Sequence, residues 1–228
     1  MSIFYVAAPL GTTHSGTGLS LHIDKPPACY NAADRIRCDK MRHPLAKTPV
    51  FSLFLGMIIL RHCESEFNRL YTLTGRDPGV ADPSLSQQGR DHAQRLVQEL
   101  AAEPITRILV SPFTRALETA APIAKALGIT PEITPLVRER GMYSCDEGSP
   151  ASALCAAWPR LDFEGLEEVW WSDLPESDRA LQNRVQRFRS LMTAQPEAGQ
   201  TLVVSHWWFL LGLCGDSLEN GDWRHEHP

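Results

Sequence analysis

The chain has 228 residues, 43% of them hydrophobic, with 22 Lys and Arg against 27 Asp and Glu and a formal charge of −5. That length fits one domain with a substantial buried core. The acidic balance excludes a generic nucleic-acid binder held by bulk positive charge, so any anionic ligand must be gripped by a few placed cations.

Residues 1–56 differ from the rest. They carry six basic residues (Lys25, Arg35, Arg37, Lys40, Arg42, Lys47) against Asp24, Asp34 and Asp39, five prolines, and a Gly/Ser/Thr-rich patch from Gly11 to Ser20. No period of 2 or 3.6 is sustained, which predicts an irregular or disordered N-terminal extension. A secretory signal fits poorly; an organelle transit peptide is the competing reading. The longest apolar run, Val50 to Leu60, is about half of the ~20 residues a helix needs to cross a bilayer, so no membrane association is expected.

From Met57 onward, apolar runs alternate with helical patterns. Met57–Leu60, Arg107–Ser111 and Thr201–Ser205 read as strands buried on both faces, with a weaker one at Pro131–Thr134. Ser86–Glu103 reads as a helix capped by Ser86, Phe113–Leu127 as a second closed by Gly128, and Asp178–Ala194 as a third. The alternation predicts a three-layer α/β/α sandwich around a mostly parallel sheet. The six cysteines form no CxxC pair, which argues against a zinc ribbon or a disulfide scaffold and fits a reducing, cytoplasmic compartment.

In parallel sheets, ligands bind at the carboxyl ends of the strands. There the chain places Arg61 and His62, then Ser111 with Arg115 one helical turn on, then Ser205 and His206. Each alone is an ordinary surface cation or scaffold histidine. Together they form what a phosphate dianion wants: guanidinium forks, helix N-termini, and two imidazoles.

These residues carry a resemblance. Leu60-Arg61-His62-x-Glu64-Ser65-x-x-Asn68 resembles the Leu-Arg-His-Gly-Glu-Ser-x-x-Asn signature of the histidine phosphatase (phosphoglycerate mutase-like) superfamily. Asp82-Pro83-Ser84-Leu85-Ser86-x-x-Gly89, Ser111-Pro-x-x-Arg115 and Leu202-Val-Val-Ser-His206 are similar to its later motifs, in order. Coverage runs from Met57 to about Asn220. The 57–228 domain is then expected to have that fold, short of its last strand, because the chain stops soon after His206. The resemblance implies His62 as nucleophile, with Arg61, Arg115, His206 and Asn68 holding the phosphate. It also implies Glu139, in Arg138-Glu139-Arg140, as general acid and base, with Asp146 and Glu147 next in line. Thr74 and Gly75 would reach the substrate. No metal or other cofactor is implied, and the partner is a small phosphorylated substrate.

Cys63 stands where the family has glycine, and a thiol there would narrow the pocket or tilt His62. His62-Cys63-x5-Arg69 also matches the pattern of cysteine-dependent phosphatases. That loop lacks glycine, however, and carries two carboxylates that would repel phosphate. A binding protein without turnover and a phosphoglycerate-type mutase are further alternatives. The mutase needs a basic insertion that this chain lacks, so hydrolysis is favoured. Arg138-Glu139-x5-Cys145-Asp146, Val169-Trp170-Trp171 and Ser205-His206-Trp207-Trp208-Phe209 resemble a phosphoglycerate mutase-like subgroup of plants, fungi and protists. Trp207 and Trp208 either wall an apolar pocket or pack the last helix.

Overall fold

Along β1 (Met57–Arg61) the side chains alternate between two separate cores. Ile58 and Leu60 enter one, Met57 and Ile59 the other. β4 (Thr201–Ser205) does the same, with Leu202 and Val204 opposite Val203. A strand buried on both faces must be covered by helices on both faces, which is why these segments read as unbroken apolar runs. The computed structural model describes residues 56–172, 175–195 and 198–227. The extension predicted for residues 1–56 therefore lies, apart from Gly56, outside the described residues.

The sheet has five strands in the order β3-β2-β4-β1-β5, with β2 at Arg107–Val110, β3 at Glu132–Ile133 and β5 at Trp223–Glu226. All pairings are parallel except β1 with β5. One face is covered by α2 (Gln87–Glu99) and α3 (Thr114–Leu127), which contribute Leu96, Ala116, Leu117 and Ile123 to the core. The other is covered by α5 (Asp178–Thr193) and α6 (Trp207–Cys214), through Val185, Phe188, Phe209 and Leu213. The three-layer expectation holds. Among the described residues no helix is long and apolar enough to cross a membrane.

Three helices were not foreseen: α1 (Glu66–Thr74), α4 (Ala151–Ala157) and α6. α6 is eight residues long and apolar around its circumference, so it has no amphipathic stripe to read. Ser86 is the N-cap as expected, while Phe113 caps α3 instead of opening it and α2 stops at Glu99.

A strand was expected to be missing after His206, yet β5 pairs antiparallel with β1 along Met57–Leu60. It escaped notice because it is a polar sheet edge, with Arg224 bonded to Asp216 and Glu226. His225 lies within β5, 3.1 Å from Glu103.

Candidate active site

The carboxyl ends of β1, β2 and β4 lie side by side, and each delivers its residues by local chemistry. β1 ends in Arg61 and His62, and the His62 N–H donates to the Ser205 carbonyl of β4 at 2.9 Å. The chain then turns into α1 through a capping box, in which Ser65 Oγ accepts from Asn68 N while Asn68 Oδ1 accepts from Ser65 N at 3.0 Å. Glu64 is pinned against the start of α2: its carbonyl accepts from Ser86 N, and its carboxylate from Ser86 Oγ at 2.5 Å. Gly89 is required there, since a Cβ would stand 2.0 Å from the Glu64 oxygen. The N-terminus of α3 is capped from afar by Asp82, which accepts from Thr114 N at 2.8 Å and Thr114 Oγ1 at 2.7 Å. These contacts explain why the Glu64-Ser65, Asp82 to Gly89 and Ser111 to Arg115 motifs occur together.

His62 is buried, and its Nδ1 lies 2.7 Å from the Cys63 carbonyl. A carbonyl only accepts, so Nδ1 carries the proton and Nε2 keeps a free lone pair. Burial and the charges of Arg115 and Arg61 hold its pKa well below the ordinary range, so the ring is neutral at pH 7. The ring of His206 lies 5.0 Å away, centroid to centroid. His206 is fully buried, N-caps α6 and approaches Ser111 Oγ through Nε2 at 2.8 Å. Its Nδ1 and the Nε of Arg61 are buried without a protein partner. An unpartnered guanidinium N–H and an unpartnered ring nitrogen beside a neutral imidazole suit an oxyanion.

Arg115 is held from behind. It donates to the Cys145 carbonyl at 2.6 Å and to Asp146 at 3.1 Å, and its guanidinium lies 4.2 Å over the ring of Phe113. Phe113 also meets the His206 ring edge-on at 5.2 Å. Asp146 is buried and accepts further from the Met142 and Tyr143 amides, which makes it a structural anchor for Arg115.

Glu139 is buried beside them. Its Oε1 accepts from Arg140 N at 2.8 Å and from Trp208 N, in the first turn of α6, at 3.0 Å. Burial, with the nearby charge of Asp146, pushes its carboxyl up to about 7.

Asn68 spends Oδ1 on Ser65 and Asn220, leaving Nδ2 as the end that can donate. Thr74 and Gly75 are not brought to the cluster by any described contact. The Thr74 hydroxyl donates to Leu70 O at 2.9 Å, and Gly75 closes α1 in a left-handed conformation, φ 66°.

Cys63 belongs to the core. Its side chain is fully buried among Leu85, Ala93 and Ala116, its amide donates to Thr119 Oγ1 at 3.0 Å, and burial pushes its thiol up to about 12. Arg69, which would complete the cysteine loop, is paired with Glu66 at 2.8 Å.

The sequence reading missed the clamp on the nucleophile loop. Asn220 Nδ2 donates to the His62 carbonyl at 3.0 Å, Gly221 N to the Arg61 carbonyl at 3.1 Å, and Arg61 Nη1 to the Leu218 carbonyl at 2.7 Å. It named Ser111 only as part of a motif. Trp207 and Trp208 are half-buried, their rings 4.6 Å apart, and Trp208 packs on the α5–α6 core with Arg140 4.9 Å from its ring. Trp170 is a core residue against Phe113. Among the described residues, no three of His, Cys, Asp and Glu gather as a metal-holding group.

The family profile of the histidine phosphatase superfamily (branch 1) matches residues 57–226. The chain belongs to that superfamily. It is 32% identical over 154 residues to phosphoserine phosphatase 1 of Hydrogenobacter thermophilus, covering 66% of this chain and 70% of that protein. It is 27% identical over 157 residues to a probable phosphoglycerate mutase of Erwinia tasmaniensis, covering 67% and 69%. The fold is shared with the ecdysone phosphate phosphatase of Bombix mori, solved with tungstate. There the TM-score is 0.55 at 16% identity, over 75% of this chain and 92% of that one.

Proposed function

We propose that the protein is a phosphoester hydrolase that acts through a phosphohistidine intermediate on a small phosphorylated metabolite. The observation that carries this is the tautomer of His62: Nδ1 is fixed on the Cys63 carbonyl, so Nε2 carries the lone pair. Nε2 attacks phosphorus, an N–P bond forms and the bond to the leaving oxygen breaks. Arg61, Arg115, His206 and the Asn68 amide stabilise charge on the three equatorial oxygens. Glu139, protonated below about pH 7, gives its proton to the leaving alkoxide. Its carboxylate then takes a proton from water, the hydroxide attacks phosphorus, and the N–P bond breaks to return neutral His62.

The mutase reading gains no support from the cations flanking Glu139. Arg138 is paired with Glu176, and Arg140 with Asp178, so neither is free to grip a second phosphate. The binding-only reading gains no support from Cys63, whose side chain lies in the core, or from the carboxyl end, where β5 pairs with β1. A substrate-side role for Thr74 and Gly75 rests on the resemblance alone. Phosphoserine heads the substrates to test, after the relative's name.

The test is a panel of phosphorylated metabolites and phosphopeptides with the wild type and His62→Ala. The expected result is turnover with an acid-labile phosphoenzyme in the wild type, and neither in the variant. Turnover in His62→Ala, or its absence throughout the panel and on a generic aryl phosphate, overturns the reading.

A further inference from the structure

Arg184 lies in the middle of α5, buried, and spends its guanidinium on the segment that carries Glu139. Nη1 donates to the carbonyls of Leu136 at 3.0 Å and Arg138 at 2.6 Å. Nη2 donates to the carbonyl of Glu139 at 3.3 Å and to Glu176 Oε2 at 2.7 Å, and Nε to Glu176 Oε1 at 3.3 Å. Glu176, also buried, accepts in addition from Arg138 Nη2 at 3.3 Å. Its backbone is tied to the same segment, with Glu176 N donating to the Gly141 carbonyl at 2.7 Å and Arg140 Nε to the Glu176 carbonyl at 3.0 Å.

Apart from one 3-10 turn at Pro135–Val137, residues 135–143 form neither helix nor strand. Their own backbone gives the Glu139 carboxylate one contact, the Arg140 amide, with no regular ladder behind it. A buried ion pair does not explain itself by stability, since its desolvation roughly cancels its attraction. What a planar fork with fixed donors delivers is geometry. Here every donor of Arg184 lands on the acid's own segment or on the carboxylate that braces it.

We infer that the Arg184–Glu176 pair is the positioning element for Glu139, holding its carboxyl against the first turn of α6, where it serves the leaving oxygen. This rests on the proposed phosphatase chemistry. Neither residue touches substrate; both act through the segment they hold.

The test uses the full chain with two substrates. One is an alkyl phosphate, whose leaving alkoxide needs a proton; the other is p-nitrophenyl phosphate, whose leaving phenolate does not. Measured as kcat/KM, which ends when the leaving oxygen departs and so excludes the shared dephosphorylation, Glu139→Gln is expected to lose on the order of 100-fold on the alkyl ester and less than tenfold on the aryl ester. Arg184→Met and Glu176→Gln are expected to show the same bias, at about tenfold or more, with Arg184→Lys between them and the wild type. The ratio of the two rates does not depend on how much of a variant is folded, and Glu176→Gln preserves shape should Arg184→Met fail to fold. Equal losses on both substrates in these variants, with the bias present in Glu139→Gln, overturn the positioning role and leave the phosphatase reading intact. No bias in Glu139→Gln itself overturns the acid assignment and the inference with it.

Discussion

The Nε2 of His206 stands 2.8 Å from the hydroxyl of Ser111, while its Nδ1 is buried without a partner. The Ser111 hydroxyl can donate to Nε2 while its oxygen accepts from the Phe113 amide at 3.4 Å, an arrangement that leaves the ring proton on Nδ1. His206 then carries its own proton on Nδ1 and presents it as a donor. Ser111→Ala removes that control of the tautomer. A neutral hydrogen bond is worth about 1 kcal/mol, so kcat should fall roughly fivefold with little change in fold, as read by steady-state kinetics and circular dichroism. Unchanged kcat would mean that His206 needs no such partner.

Glu139 sets a pH dependence of two kinds. As the acid, it must be protonated, so turnover of an alkyl ester should decline as pH rises through about 7. For stability, its folded pKa lies above the ordinary 4.5, so the native state holds a proton that the unfolded chain releases. Its contribution is complete below 4.5 and is lost as pH rises through about 7. Glu139→Gln should therefore raise the melting temperature at pH 8 and leave it nearly unchanged at pH 4. A melting curve with the opposite sign would show that the carboxyl is not raised.

Asp146 and Arg115 form a buried pair at 3.1 Å, each almost inaccessible to water. Asp146→Asn strips Arg115 of its charge partner. Breaking such a pair costs about 3–5 kcal/mol, which urea unfolding should detect. The freed guanidinium should also lose its aim, weakening inhibition by orthovanadate roughly tenfold or more. Full stability together with full vanadate affinity would contradict the anchoring role.

Cys63 should be chemically silent. Because its side chain is fully buried and its thiol pushed up to about 12, iodoacetamide should leave activity intact under native conditions. Cys63→Ala should keep kcat within a few-fold and lower stability by about 1 kcal/mol, the cost of a small void. Inactivation by the reagent, protected by phosphate, would revive the thiolate mechanism.

Arg61, His62, Arg115 and His206 were legible because each follows an unbroken apolar strand, and parallel topology sends such strand ends to one edge. Glu139 was found by position in a motif, but what aims it was not. Arg184 stands 45 residues away on an amphipathic helix, where no local pattern distinguishes it from the helix's other charges. Asn220 sits 158 residues from the carbonyl it holds, beyond any local pattern. Cys63 was misjudged for a related reason. Sequence shows that a residue follows the nucleophile, but only packing shows that its side chain enters the core beneath α3.

The clamp on the nucleophile loop has a consequence for how the protein comes into being. His62 lies near the start of the described domain, whereas the groups that hold its carbonyl and the Arg61 side chain come 158 and 157 residues later. Translation delivers the attacking residue first and its restraint last. A nascent domain thus has its nucleophile made yet unsecured until β4, Leu218, Asn220 and β5 emerge and dock around β1. Competence should switch on late in synthesis, as one event, rather than grow with the length of chain made.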